Sequence, residues 1–201
     1  FTQDEIDLTS PGEGEVLVRT LILSQDAANR AWMQGATYRS ALVSGQVMSS
    51  GGIAEVVESN VDRFKVGQIV SGDLGWQEYA VIPGHQLARV KDHDGPLSHS
   101  LSLLGVAGLT AYHGLINVPG IHAGEVLLVS AAGGSVGSIV GQIGRIKGAK
   151  VIGIAGGTEK CRWVVDELGF DACLDYKDTS APLRHQLKAV APDGVDVYFD
   201  N

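Results

Sequence analysis

The densest chemistry in the sequence lies where an apolar run, Glu125-Val-Leu-Leu-Val-Ser130, gives way to Ala131-Ala-Gly-Gly-Ser-Val-Gly137 and then to a long uncharged stretch. A strand, a turn of small residues and a helix in that order present free N–H groups and the positive end of a helix dipole to an anion. Gly134 leaves room for backbone to approach a pyrophosphate, and Gly137 lets the helix lie close on the sheet. Ala132 stands where this fingerprint usually has its first glycine. A glycine-rich turn beside a glycine-packed helix produces the same letters. The strands on both sides favour a dinucleotide site, with Gly134, Ser135, Val136 and Gly137 at the phosphates.

The next strand bears on which dinucleotide. An NAD site carries Asp or Glu about twenty residues past the turn, bonded to the ribose hydroxyls. Here the chain reads Ile154-Ala-Gly-Gly-Thr-Glu-Lys160. Gly156, Gly157 and Thr158 occupy the place of that carboxylate, and Lys160 can face a 2′-phosphate. Glu159 is expected in the first helical turn, pointing outward. Tyr176 and Lys177 add a hydroxyl and a second cation near the adenosine end. Each lysine alone reads equally as a solvated surface residue; with the carboxylate missing, the cofactor expected is NADPH.

The elements that position these residues follow from periodicity. Glu15 to Arg19, Ile53 to Val57, Gln68 to Ser71, Trp76 to Ile82 and Leu87 to Val90 are short strand candidates between turn signals, the pattern of an antiparallel barrel or sandwich. A helical turn over Ser24 to Met33 begins at a capping serine. Ser98 to Gly114 reads as buried helical segments broken near Gly105 and Gly108. Strand and helix then alternate: strands over Val126 to Ser130, Lys150 to Ile154, Ala172 to Leu174 and Val195 to Phe199, helices over Ser135 to Lys147, Thr158 to Leu168 and Thr179 to Val190. That rhythm means a parallel sheet with crossover helices. The expected fold class is α/β, with a β domain over residues 1–106 and a cofactor domain over 107–201.

A net charge of −8 disfavours a nucleic-acid or anionic-membrane partner, both of which need a cationic face. Val126 to Gly144 approaches the length of a membrane span, but its glycines and serines make it a poor one. Cys161 and Cys173 match neither a redox pair nor zinc knuckles, and read as reduced, packed thiols of a cytoplasmic protein. No basic, signal-like start is present. A first residue Phe1 and a last strand stopping at Asp200-Asn201 lead to the expectation of a fragment. No metal site is expected: two cysteines cannot supply a four-cysteine zinc lobe, and His85, His93, His99, His113, His122 and His185 show no ligand spacing.

Gly-Leu-Thr-Ala-Tyr at 108–112, Ala-Ala-Gly-Gly-Ser-Val-Gly at 131–137, Val-Gly-Gln-Ile at 140–143, Glu-Lys at 159–160, Leu-Gly-Phe-Asp at 168–171 and Val-Tyr-Phe-Asp-Asn at 197–201 resemble the zinc-independent medium-chain dehydrogenase/reductases. The nearest branch is that of prostaglandin reductases, bacterial curcumin reductase and plant alkenal double-bond reductases. In the first domain, Gly51-Gly-Ile-Ala-Glu-Val-Val57, Lys65-Val-Gly-Gln-Ile-Val70 and Gly75-Trp-Gln-Glu-Tyr79 resemble the family's GroES-like barrel. The resemblance implies a Rossmann domain after that barrel and a homodimer. It implies NADPH-dependent reduction of the C=C bond of a small-molecule enone or alkenal. It places Lys160, Thr158 and Tyr176 at the phosphorylated adenosine half, Asn201 at the start of a loop facing the cofactor, and Tyr38 toward the substrate carbonyl. Around Tyr38 the chain departs from the family pattern, with Arg39-Ser-Ala where relatives carry prolines. The family's other tyrosine and its nicotinamide-gripping glycine loop would lie beyond Asn201. A quinone reductase of the same superfamily and a non-catalytic NADPH-binding protein are the competing readings.

Overall fold

In the computed structural model, which describes residues 2–201, the alternating run Glu15–Leu23 forms strand β1. Val16 and Val18 turn into the core, while Arg19 faces out and ion-pairs with Glu55 at 2.7 Å on the neighbouring strand. β2 (Gly51–Ser59), β3 (Ile69–Asp73), β4 (Tyr79–Pro83) and β5 (Ala88–Arg89) complete an antiparallel sheet of order β4-β1-β2-β3-β5. Val16, Val18, Ala54, Val56, Phe64 and Val70 fill its core. Helix α1 (Ala27–Gln34) begins later than expected, and its N-cap is Asp26 rather than Ser24. The Ser24 hydroxyl instead donates to Asp26 Oδ2 at 2.7 Å, so the serine holds the cap residue in place of the helix.

This sheet belongs to a compact unit ending at Leu101; a second unit runs Ser102–Asn201. In the second, β6 (Val126–Val129), β7 (Lys150–Ala155), β8 (Ala172–Asp175) and β9 (Val197–Phe199) form a parallel sheet of order β8-β7-β6-β9. Helices α3 (Ser135–Ile146), α4 (Thr158–Asp166) and α5 (Leu183–Val190) are its crossovers, because parallel neighbours cannot be joined by a tight turn. Leu127, Val129, Val140, Val151, Val164 and Phe170 pack between sheet and helices. The uncharged stretch thus divides into strand, turn and helix, and among the described residues no helix is long and apolar enough to cross a membrane.

Three expectations are corrected. α5 starts at Leu183 and not near Thr179, since Pro182 sits extended at its N-cap. The last strand covers Val197–Phe199 rather than Val195–Phe199 and is half-buried, with Tyr198 facing out. The helix before the sheet, α2 (Val106–Tyr112), continues into a π turn over His113–Asn117 and is buried on one side only: Ala111 lies in the core, while Val106 is 79% and Leu109 69% exposed. Gly108 lies inside this helix rather than breaking it, and a side chain there would overlap the Leu103 carbonyl.

Candidate functional site

Past the end of β6 the chain is pinned to both neighbouring strands. Ser130 N–H donates to Phe199 O and Ala132 N–H to Ile154 O, each at 3.0 Å. Between them Ala131 takes φ +45°, a left-handed conformation that costs an L residue roughly 1 to 2 kcal/mol. The special backbone angle therefore falls on an alanine. Gly134 is extended, with φ −95° and ψ 174°, and its missing side chain matters for space: a Cβ would sit 3.0 Å from Ala131 O. At Gly137 a Cβ would overlap that same carbonyl. Helix α3 thus starts directly against the turn. No side chain caps it, and the first-turn N–H groups of Ser135, Val136 and Gly137 have no acceptor within the helix itself. This cradle fits a phosphate.

The loop leaving β7 adds positive charge beside the cradle. Gly157, at φ +98°, is the N-cap of α4, which places Thr158 at the start of that helix and Lys160 within its first turn, both exposed, with Glu159 exposed between them. The stem of Lys160 crosses Gly133, where a Cβ would meet its Cγ at 2.8 Å. Tyr176, 60% exposed, stands just past β8, and its ring covers Gly156 so closely that a Cβ there would come within 2.6 Å of the phenol. Cradle, lysine and tyrosine share the edge formed by the C-terminal ends of parallel strands, where such sheets bind ligands.

Asn201 lies at the same edge, past β9, and its N–H donates to Ser130 Oγ at 2.8 Å. The Ser130 hydroxyl in turn donates to Asp200 Oδ1 at 2.9 Å, an oxygen that also accepts the Tyr198 hydroxyl at 2.9 Å. Hydrogen bonds from Tyr198 and Ser130 hold Asp200 below the usual carboxylate range. The same bond to Asp200 pushes the Tyr198 phenol up. Ser130 and Asp200 escaped the sequence reading; the available signal was a small polar residue at the end of a strand.

Tyr38 lies in the other unit, 80% exposed, edge-on to Trp32 with ring centroids 6.1 Å apart. Its neighbour Arg39 stacks 4.7 Å from the centre of the Trp32 ring and ion-pairs with Asp73. Arg39 therefore fastens this loop through charge and stacking. Cys161 and Cys173 meet as free thiols with their sulfurs 2.8 Å apart, a proximity their spacing did not reveal.

Two family models match the chain: an N-terminal domain of oxidoreductase over residues 1–90 and a zinc-binding dehydrogenase over residues 135–201. The residues do not fit the metal of the second description, since among those described no group of three or more His, Cys, Asp or Glu side chains could hold one. The NADPH-dependent curcumin reductase of Escherichia coli (strain K12) is 43% identical over 100% of this chain and 58% of its own length. Prostaglandin reductase 1 of Bos taurus is 41% identical, over 100% of this chain and 60% of its own. The crystal structure of CurA in complex with NADPH from Vibrio vulnificus superposes with a TM-score of 0.87 at 40% identity, covering 98% of this chain and 58% of that one. The chain spans about three-fifths of the length of the curated relatives it matches.

Proposed function

Since the chain belongs to the medium-chain dehydrogenase/reductases, on the zinc-independent branch of curcumin, prostaglandin and alkenal reductases, we propose that it serves NADPH-dependent reduction of the C=C bond in α,β-unsaturated ketones and aldehydes. The observation that carries this reading is the uncapped start of α3 against the Ala131 turn, with the Lys160 stem laid across Gly133. When bound, NADPH supplies a hydride for the β-carbon of the substrate. The backbone of Gly134, Ser135, Val136 and Gly137 holds its pyrophosphate. Thr158, Lys160 and Tyr176 take the phosphorylated adenosine half, and Asn201 opens the loop that faces the cofactor. The Tyr38 hydroxyl is offered to the substrate carbonyl, where a positioned donor stabilises the oxygen as negative charge builds on it.

The same proposal includes a first domain over residues 1–106, a cofactor domain over 107–201, a homodimeric cytoplasmic protein, and small molecules rather than nucleic acid or membrane as partners. Ligand binding raises stability by mass action. The full-length protein should therefore melt at a higher temperature with NADPH than with equal NADH. It should oxidise NADPH with an open-chain enone faster than with a benzoquinone. A larger shift with NADH overturns the cofactor; preference for the quinone overturns the substrate class; binding without turnover of either acceptor overturns the enzyme.

A further inference from the structure

At the end of β8 a single carboxylate oxygen joins two loops. Asp175 Oδ1 accepts the Gly157 N–H at 2.8 Å and the Lys177 N–H at 2.9 Å. Gly157 belongs to the loop leaving β7 and Lys177 to the loop leaving β8. A third bond, from Tyr176 N–H to Ala155 O at 3.1 Å, runs between the same segments. Gly157 can aim its N–H at Asp175 because its φ of +98° is one that side-chain-bearing residues avoid. Immediately beyond it come Thr158 and Lys160; immediately beyond Asp175 comes Tyr176. The two loops are thus tied by a single side-chain oxygen in addition to the backbone bond between their strands.

We propose that Asp175 is a positioning residue that sets the preference for a phosphorylated over an unphosphorylated dinucleotide; this rests on the reading of the site as one for NADPH. A 2′-phosphate is gripped only when the donors from both loops reach it together, and a misplacement of about 1 Å is enough to lose much of such a contact. Asp175 supplies that spacing from behind. Its own charge would repel a phosphate if it faced the site, but two backbone donors occupy its Oδ1 and turn it into the loops. A cofactor without the 2′-phosphate lacks the contact that needs both loops at once, so its affinity depends far less on the spacing.

The test measures NADPH and NADH dissociation constants by nicotinamide fluorescence on the full-length protein, with circular dichroism on each preparation. Asp175→Ala should lower the ratio of NADPH to NADH affinity at least tenfold. Asp175→Glu keeps the charge but moves the oxygen outward by one methylene, and should lose the preference as well. Asp175→Asn retains an oxygen that can accept both N–H groups and should hold the ratio within threefold. An unchanged ratio in the Glu variant overturns the inference, and does so even if the Ala variant fails to fold. A loss in the Asn variant as large as in the Ala or Glu variant also overturns it, since charge rather than placement would then be responsible. Absence of any NADPH preference in the wild type marks a different failure: it overturns the site reading itself, and the role of Asp175 with it.

Discussion

The stem of Lys160 lies across Gly133, where a Cβ would come 2.8 Å from Lys160 Cγ and 2.9 Å from Cδ. Turn and lysine are therefore one surface, and the bare glycine is the seat for the side chain. Lys160→Ala should weaken NADPH about five- to thirtyfold, the equivalent of roughly 1 to 2 kcal/mol for a charge-assisted contact, with NADH nearly unchanged. Gly133→Val should have the same selective effect with the lysine still present, because it unseats the stem. Titration of both cofactors on each variant checks this. Equal weakening of the two would mean that Lys160 supports the loop without reading the phosphate.

Gly134 and Gly137 should part company when substituted. A methyl at Gly137 overlaps the Ala131 carbonyl, a backbone atom that cannot step aside, whereas at Gly134 it is only tight at 3.0 Å. Gly137→Ala should cost about 1 to 3 kcal/mol of stability as an overpacking change. Gly134→Ala should melt near the wild type. Its affinity for NADPH should fall at least tenfold, because the methyl occupies the approach to the pyrophosphate. Thermal melts beside cofactor titrations separate the two effects.

Acid should loosen the end of β9. Asp200 is held below its ordinary range by the Tyr198 and Ser130 hydroxyls, so its folded pKa is depressed. Such a group contributes stability above the unfolded value of about 3.9 and loses it as pH falls through the folded value. The carboxylate is exposed, so the effect is small. In Asp200→Asn the melting temperature should fall less steeply between about pH 5 and pH 2.5 than in the wild type. Identical acid slopes in the two proteins would refute the coupling.

The Cys173 thiol is pushed well up, first by burial, then by its hydrogen bond to Cys161 and by nearby negative charge. Only thiolate alkylates at a useful rate. Iodoacetamide at pH 8 should therefore modify Cys173 in the folded protein at least tenfold more slowly than in urea, as read by mass spectrometry. Because the folded pKa is raised, the stability tied to the thiol is present below the unfolded value of about 8.5 and lost as pH climbs above it.

Repetition made the fold legible. The alternation through Glu15–Arg19 and the strand–helix rhythm from Val126 onward both survive in the structure, because each depends only on which face meets a core. The turn at Ala131–Gly137 was legible for the same local reason. Two kinds of feature were not. One is the conformation of a single residue: nothing in the letters says that Ala131, among so many glycines, carries the left-handed angle. The other is a bond between distant elements, such as Asp175 to Gly157 or Ser130 to Asp200, which exists only after strands far apart in the chain become neighbours. Leu104, Val106 and Leu109 misled in the opposite sense, since their apolar character marks surface here rather than core.

Helix α3 carries Gly137, Gly141 and Gly144 on the side that meets the sheet, where side chains at the last two would collide with the Phe170 ring and with Leu127. Each glycine costs a helix about 1 kcal/mol relative to alanine, and a helix of 12 residues is marginal in water even with favourable residues. Apart from its sheet, then, this segment has little reason to be helical. Its helical state depends on contacts with β6, β7 and Phe170, and the arrangement of its first-turn N–H groups depends on the same contacts. A phosphate site built on such a helix is a property of the packed sheet and not of the segment alone.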